Sequence, residues 1–132
     1  MNASGARLGL SILIVDDETL IAMLLEDMLV DIGCNVVGPA PSVAQAIALI
    51  DSEGEMIDGA LLDINLRGEL VYPVADALIA LGIPFVFVSG YASHGIDPRY
   101  AAFAALAKPI SMPTLETAVS GFGVRHRANR TD

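Results

Sequence analysis

The chain lacks the residues that mark several common protein classes. Of its 132 residues only one is cysteine, Cys34, so no intrachain disulfide can form and a reducing cytoplasm is the expected setting. Seven basic residues stand against sixteen acidic ones, a net charge of −9, which argues against a basic nucleic-acid-binding face. Three of the seven (Arg125, Arg127 and Arg130) fall near the C-terminus, so the body is more acidic still. No apolar run approaches the roughly 18 residues of a membrane-spanning helix, and the N-terminus shows no targeting pattern. A soluble, cytoplasmic chain with no membrane or nucleic-acid partner is therefore expected. His94 and His126 have no metal-ligand spacing and Cys34 has no partner, which disfavours zinc. Lysine occurs once, as Lys108.

Short apolar runs alternating with helical stripes fill the rest of the sequence. With 54% hydrophobic and 17% charged residues, a single domain with strands covered on both faces is expected. Leu10–Val15 reads as a strand that stops at Asp16. Ile21, Leu24, Leu25, Met28 and Ile32 then recur at helical spacing before Gly33. Asn35–Gly38 is a second strand, and Ser42 with Gln45 forms a capping box for a helix bearing Val43, Ile47 and Ile50. Gly59–Asp63 is the third strand, followed by a polar loop holding Arg67, Gly68 and Glu69. Pro73 opens a helix through Leu81, and Pro84–Val88 is the fourth strand.

Gly95 and Pro98 allow only a short or irregular helix within Tyr91–Phe103, beginning near Asp97–Pro98. Ala104–Lys108 is an alanine-rich fifth strand, and Ser111 caps a last helix carrying Met112, Leu115, Val119 and Phe122. The expected organisation is a flexible N-terminus over 1–9, one domain over 10–122 and a basic, disordered tail over 123–132. Five strands alternating with five helices imply βαβ units, a parallel sheet and an α/β fold.

Ligands of open α/β sheets bind beyond the carboxyl ends of the strands, and there the chemistry-bearing residues collect. Asp16 and Asp17 follow the first strand, Asp63 ends the third with Asn65 just beyond, Ser89 and Gly90 follow the fourth, and Lys108 ends the fifth. Each has a plain alternative. Asp17 could cap the first helix, and Asp63 and Ser89 could be turn residues. Taken together they resist that reading. Two like charges about 4 Å apart repel by roughly 4 kcal/mol at an effective dielectric of 20, and a third carboxylate adds to this. Either a cation sits among them or one carboxylate is protonated. All-oxygen donors point to Mg²⁺. Beside such a metal the Asp63 carboxylate could attack phosphorus, and Lys108 could pair with a carboxylate or a phosphoryl group.

This pattern resembles the receiver (CheY-like) domain of two-component response regulators, over about residues 10–122. The resemblance rests on Asp16-Asp17, Asp63, Ser89 and Lys108-Pro109, with 46, 26 and 19 residues separating Asp17, Asp63, Ser89 and Lys108. It implies a flavodoxin-like, doubly wound five-stranded sheet of order 2-1-3-4-5. It further implies phosphorylation of Asp63 by a sensor histidine kinase or phosphotransfer protein. Mg²⁺ would lie on Asp17, Asp63 and the Asn65 carbonyl, with Asp16 acting through water, while Ser89 and Lys108 would hold phosphoryl oxygens. Such a domain is not an enzyme toward external substrates; it signals to a downstream protein or acts as a phosphate shuttle or sink.

The chain departs from the family at Ala105, where most receivers carry a Tyr or Phe switch. The Phe87–Tyr91 run resembles instead a stand-alone subgroup with a Phe-Ala-Thr-Gly-Tyr-like motif, which makes Tyr91 and Phe103 switch candidates. Two alternatives stand beside the receiver. One is a haloacid-dehalogenase-type phosphatase, which wants Asp-x-Asp where this chain has Asp63-Ile64-Asn65. The other is a degenerate receiver that only binds a partner.

Overall fold

The computed structural model describes residues 9–90 and 96–130, with the backbone alone over 124–130. Strands β1 (Ser11–Val15), β2 (Asn35–Ala40), β3 (Gly59–Asp63), β6 (Phe85–Ser89) and β7 (Ala105–Ala107) form one parallel sheet. Its order is β2-β1-β3-β6-β7, and β4 (Asn65–Leu66) pairs with β5 (Glu69–Leu70) in a separate antiparallel hairpin. Without that hairpin, the sheet strands read 2-1-3-4-5 in chain order. The helices are α1 (Thr19–Asp31), α2 (Val43–Glu53), α3 (Tyr72–Leu81) and α4 (Met112–Arg130).

Alternation along each strand sends side chains to two cores, as the pleat requires. Leu13 and Val15 of β1, Ala60 and Leu62 of β3, and Phe85 and Phe87 of β6 pack with Ala46 and Ile50 of α2 and Val74, Ala75 and Leu78 of α3. Ile12 and Ile14, Leu61, and Val86 and Val88 face the other way, against Leu25 and Leu29 of α1 and Leu115, Val119 and Phe122 of α4. Burial on both faces explains why these strands read as unbroken apolar runs. Gly59 shows how closely α4 approaches, since a Cβ there would overlap the Phe122 ring.

Besides folding the expected polar loop after β3 into the β4–β5 hairpin and confining β7 to Ala105–Ala107, the structure differs from the sequence expectations in four further places. Among the described residues there are four α-helices, not five; the short or irregular helix expected near Asp97–Pro98 is present as a 3₁₀ turn, Pro98–Tyr100, opened by Asp97 accepting from the Arg99 amide. Proline suits the first turn but cannot extend a ladder backward. Second, α4 runs to Arg130, past the Phe122 boundary and through most of the expected tail, because Gly121 and Gly123 weaken a helix without stopping it. Third, β2 continues to Ala40 instead of ending at Gly38. Fourth, α1 buries Ala22, Leu25 and Leu29, whereas Leu24 is 49% exposed. That helix is apolar on more than one side, so periodicity could not choose its inner face.

Five aromatic rings gather on the α3 face of β6. Tyr72 stacks on Tyr100 and Phe85 on Phe103, each pair with centroids 4.6 Å apart, and Phe87 meets Tyr72 and Tyr100 edge-on. The Tyr72 hydroxyl accepts from the Asp97 amide at 2.8 Å, and the Tyr100 hydroxyl donates to Asp76 at 2.6 Å. The Asp76 hydrogen bond, with burial, pushes the Tyr100 hydroxyl pKa up. Asp97 and Tyr100 are thereby pinned to α3.

Candidate functional site

Sheet register brings the expected residues to one edge. Val15 lies beside Leu62, Asp63 beside Val88, and Ser89 beside Ala107. Asp16, Asp63, Ser89 and Lys108 therefore emerge from four adjacent strands within one residue of the same level. The Lys108 amide donates to the Ser89 carbonyl at 3.0 Å, tying the last two ends together. The Lys108–Pro109 peptide bond is cis.

Asp16, Asp17 and Asp63 each offer a carboxylate oxygen, and the three oxygens lie within 4.8 Å of one another. Asp16 is 3% exposed; its Oδ1 accepts from the Glu18 amide at 2.8 Å, and its Oδ2 has an ion pair to Lys108 but no well-aligned hydrogen bond. Asp17 does not cap α1, whose N-cap residue is Glu18. Its Oδ2 instead meets Arg67 Nε at 3.2 Å. Ser89 is buried at the end of β6. The Asn65 side chain is taken by the hairpin, accepting from the Gly68 amide at 2.6 Å, so only its backbone carbonyl is left for a ligand.

Lys108 Nζ stands among three carboxylates, 3.0 Å from Glu18, 3.2 Å from Asp16 and 3.4 Å from Asp63. Burial alone would lower its pKa, but the Glu18 hydrogen bond and the Asp63 and Asp16 charges outweigh that and raise it. Asp63 behaves oppositely. Burial pushes its carboxyl up to about 6; the Lys108 charge pulls it back, while Asp16 and Asp17 push it further. Counting Asp16, Asp17, Glu18 and Asp63 against Lys108 and Arg67, four negative charges meet two positive ones, which leaves two uncompensated. Three convergent carboxylates, an Asp16 oxygen without a hydrogen bond and a surplus of two negative charges suit a hard divalent cation.

Two participants were not singled out from sequence. Glu18 directly follows Asp17, so its proximity was legible, but its pairing with Lys108 across 90 residues was not. Arg67 reaches the site only because β4 and β5 fold back as a hairpin. Of the switch candidates, Tyr91 lies outside the described residues. Phe103 stacks on Phe85 at the start of β6, four residues and roughly 13 Å from Ser89. Ala105 is half-buried beside Phe87, and the aromatic nearest it in the chain packs into the core. Cys34 takes no part; burial pushes its thiol up to about 11.

No family model matches the chain. It is similar to the phyllosphere-induced regulator PhyR of Methylorubrum extorquens, 32% identical over an alignment 120 positions long that covers 87% of this chain and 44% of that protein. The chain thus spans less than half the length of this curated relative. Its fold matches the solution structure of SdrG from Sphingomonas melonis Fr1 with a TM-score of 0.77 and 43% identity, covering 87% of this chain and 97% of SdrG. It also matches a response regulator receiver protein from Sinorhizobium medicae, with a TM-score of 0.73 and 30% identity over 89% of this chain and 97% of that one. The five-stranded parallel sheet, the carboxylate-lined edge and these relatives define a signalling domain. The chain belongs to the response regulator receiver family.

Proposed function

We propose that Asp63 is the phosphoacceptor of a two-component pathway, served by a sensor histidine kinase or a histidine phosphotransfer protein in the cytoplasm. The observation that carries this reading is the position of Asp63, its carboxylate within 4.8 Å of two further carboxylate ligands and 3.4 Å from Lys108 Nζ. An Asp63 oxygen attacks phosphorus, the bond from phosphorus to the donor nitrogen breaks, and an acyl phosphate forms. Asp17, Asp63 and the Asn65 carbonyl would hold Mg²⁺, with Asp16 acting through water. When bound, the ion offsets charge on the attacking and transferring oxygens.

Lys108 orients the phosphoryl group by moving from Glu18 and Asp16 toward its oxygens, and the Ser89 hydroxyl donates to another. Burial of Asp63 limits access of bulk water to the product. Phosphorylation adds negative charge where a surplus already exists, so Lys108 and the Ser89 hydroxyl are drawn to it. The readout is a change in the surface offered to a downstream protein, or transfer of the phosphoryl group onward, and the domain turns over no external substrate.

The test is incubation of the protein with acetyl phosphate and Mg²⁺, followed by intact mass and peptide mapping. One phosphoryl group on Asp63, lost on chelation of Mg²⁺ during the reaction, is expected. Equal modification of Asp63→Asn would overturn the assignment. Turnover of an external phosphate ester would favour the phosphatase alternative, and no response to Mg²⁺ or beryllofluoride would favour the degenerate one.

A further inference from the structure

The tip of the β4–β5 hairpin is two residues long, Arg67-Gly68, with φ of 56° and 91°. Positive φ at both positions is the type I′ turn, which strongly favours Asn, Asp or Gly at its first position. Arginine is an ill-suited residue there, since its Cβ crowds the backbone in the left-handed region. Nothing within the hairpin uses its side chain. The turn is fixed from both sides: Asn65 accepts from the Gly68 amide at 2.6 Å, and Glu69 accepts from the Val43 amide at the start of α2 at 3.2 Å. A strained backbone held in this way aims one long arm at a chosen place.

That place is Asp17, whose Oδ2 lies 3.2 Å from Arg67 Nε. The two partners differ sharply in freedom. The arginine side chain is 79% exposed, whereas that of Asp17 is 11% exposed and belongs to the group of three carboxylates that converge. A divalent cation on Asp17 and the guanidinium would draw on the same carboxylate and repel each other. The exposed arm can swing into water at little cost, and the half-buried carboxylate, held among its neighbours, does not follow it.

We propose that Arg67 is an internal counter-ion that competes with the divalent cation for Asp17 and thereby sets the cation affinity of the site. This rests on the metal-site reading above. Arg67 is a positioning residue that holds Asp17 oriented while the site is empty of metal and leaves when a cation arrives.

The experiment is a Mg²⁺ titration of the full chain followed by NMR, for wild type, Arg67→Gln and the control Arg99→Gln, whose guanidinium pairs with Asp97. Arg67→Gln should bind Mg²⁺ about two- to fivefold more tightly, the range expected for loss of one exposed ion pair, and Arg99→Gln should match wild type. In wild type the Arg67 Nε–Hε resonance should move toward that of a free arginine with the same midpoint as the Asp17 and Asp63 amides. An unchanged or weaker affinity in Arg67→Gln, an Nε resonance that stays in place at saturation, or equal tightening by Arg99→Gln would each overturn the role of Arg67 while leaving the metal site standing. If Mg²⁺ moves no amide near Asp16, Asp17 and Asp63 in wild type, the metal-site reading fails and this inference with it.

Discussion

Replacing Asp63 by Asn should make the protein more stable at neutral pH, a direct consequence of packing several like charges at one sheet edge. The Asp63 carboxyl titrates near 6 in the fold against 3.8 for an ordinary aspartate, chiefly because it is buried and also because Asp16 and Asp17 repel it. At about 1.4 kcal/mol per pH unit, ionised Asp63 costs the native state about 3 kcal/mol, a figure already net of its attraction to Lys108. Asparagine has the same shape without the charge, so Asp63→Asn should gain about 1–3 kcal/mol at pH 7 in the absence of metal. For a domain of this size that is a rise in Tm of about 4 °C per kcal/mol.

The pH dependence follows from the direction of the shift. Between 3.8 and about 6 the folded protein binds more protons at Asp63 than the unfolded chain does, so wild-type stability falls as pH rises through that window. The advantage of Asp63→Asn should therefore be near zero below pH 4, grow toward pH 6 and stay level above it. Saturating Mg²⁺ should shrink it by stabilising wild type selectively. Urea unfolding at several pH values, with and without Mg²⁺, measures all of this. A variant no more stable than wild type at pH 7 without metal would refute the charge-surplus account of the site.

Lys108→Met keeps the apolar stem and removes the charge facing Asp16, Glu18 and Asp63. It should cost about 3–5 kcal/mol at pH 7, the usual penalty for stranding buried charges, with partial recovery on adding Mg²⁺; urea titrations that show no loss would count against the pairing. Gly59→Ala should destabilise by about 2 kcal/mol because its methyl group meets the Phe122 ring. The same change in a Phe122→Leu background should cost clearly less, and simple additivity in that double-mutant cycle would show that α4 does not press on β3 there.

Much of this architecture was legible because the doubly covered strands β1, β3 and β6 are short, continuous apolar runs, and each ends abruptly at a polar residue. Asp16, Asp63, Ser89 and Lys108 stand out as residues that terminate apolar runs, a local property that does not depend on which strands are neighbours. On α1 the expected stripe holds for Leu25 and Ile32, with Ile21 and Met28 packed alongside, but not for Leu24. Leu20, Met23, Leu24 and Val30 are apolar and exposed, so the pattern is not amphipathic enough to select Ala22, Leu25 and Leu29. The length of α4 is not legible either, because polar composition after Phe122 says nothing against a helix that continues beyond the core.

The sequence by itself determined the α/β class, the approximate placement of the five sheet strands and the polar residues Asp16, Asp63, Ser89 and Lys108 that interrupt their apolar runs, since all of these follow from local periodicity and its interruptions. Tertiary structure alone decided that Lys108 is shared by three carboxylates, that Arg67 reaches Asp17, and that Phe103 belongs to the aromatic core and not to the site edge. Those are questions of which distant segments meet. Register across the sheet and the turn of one two-residue hairpin answer them, and neither leaves a periodic trace in the chain.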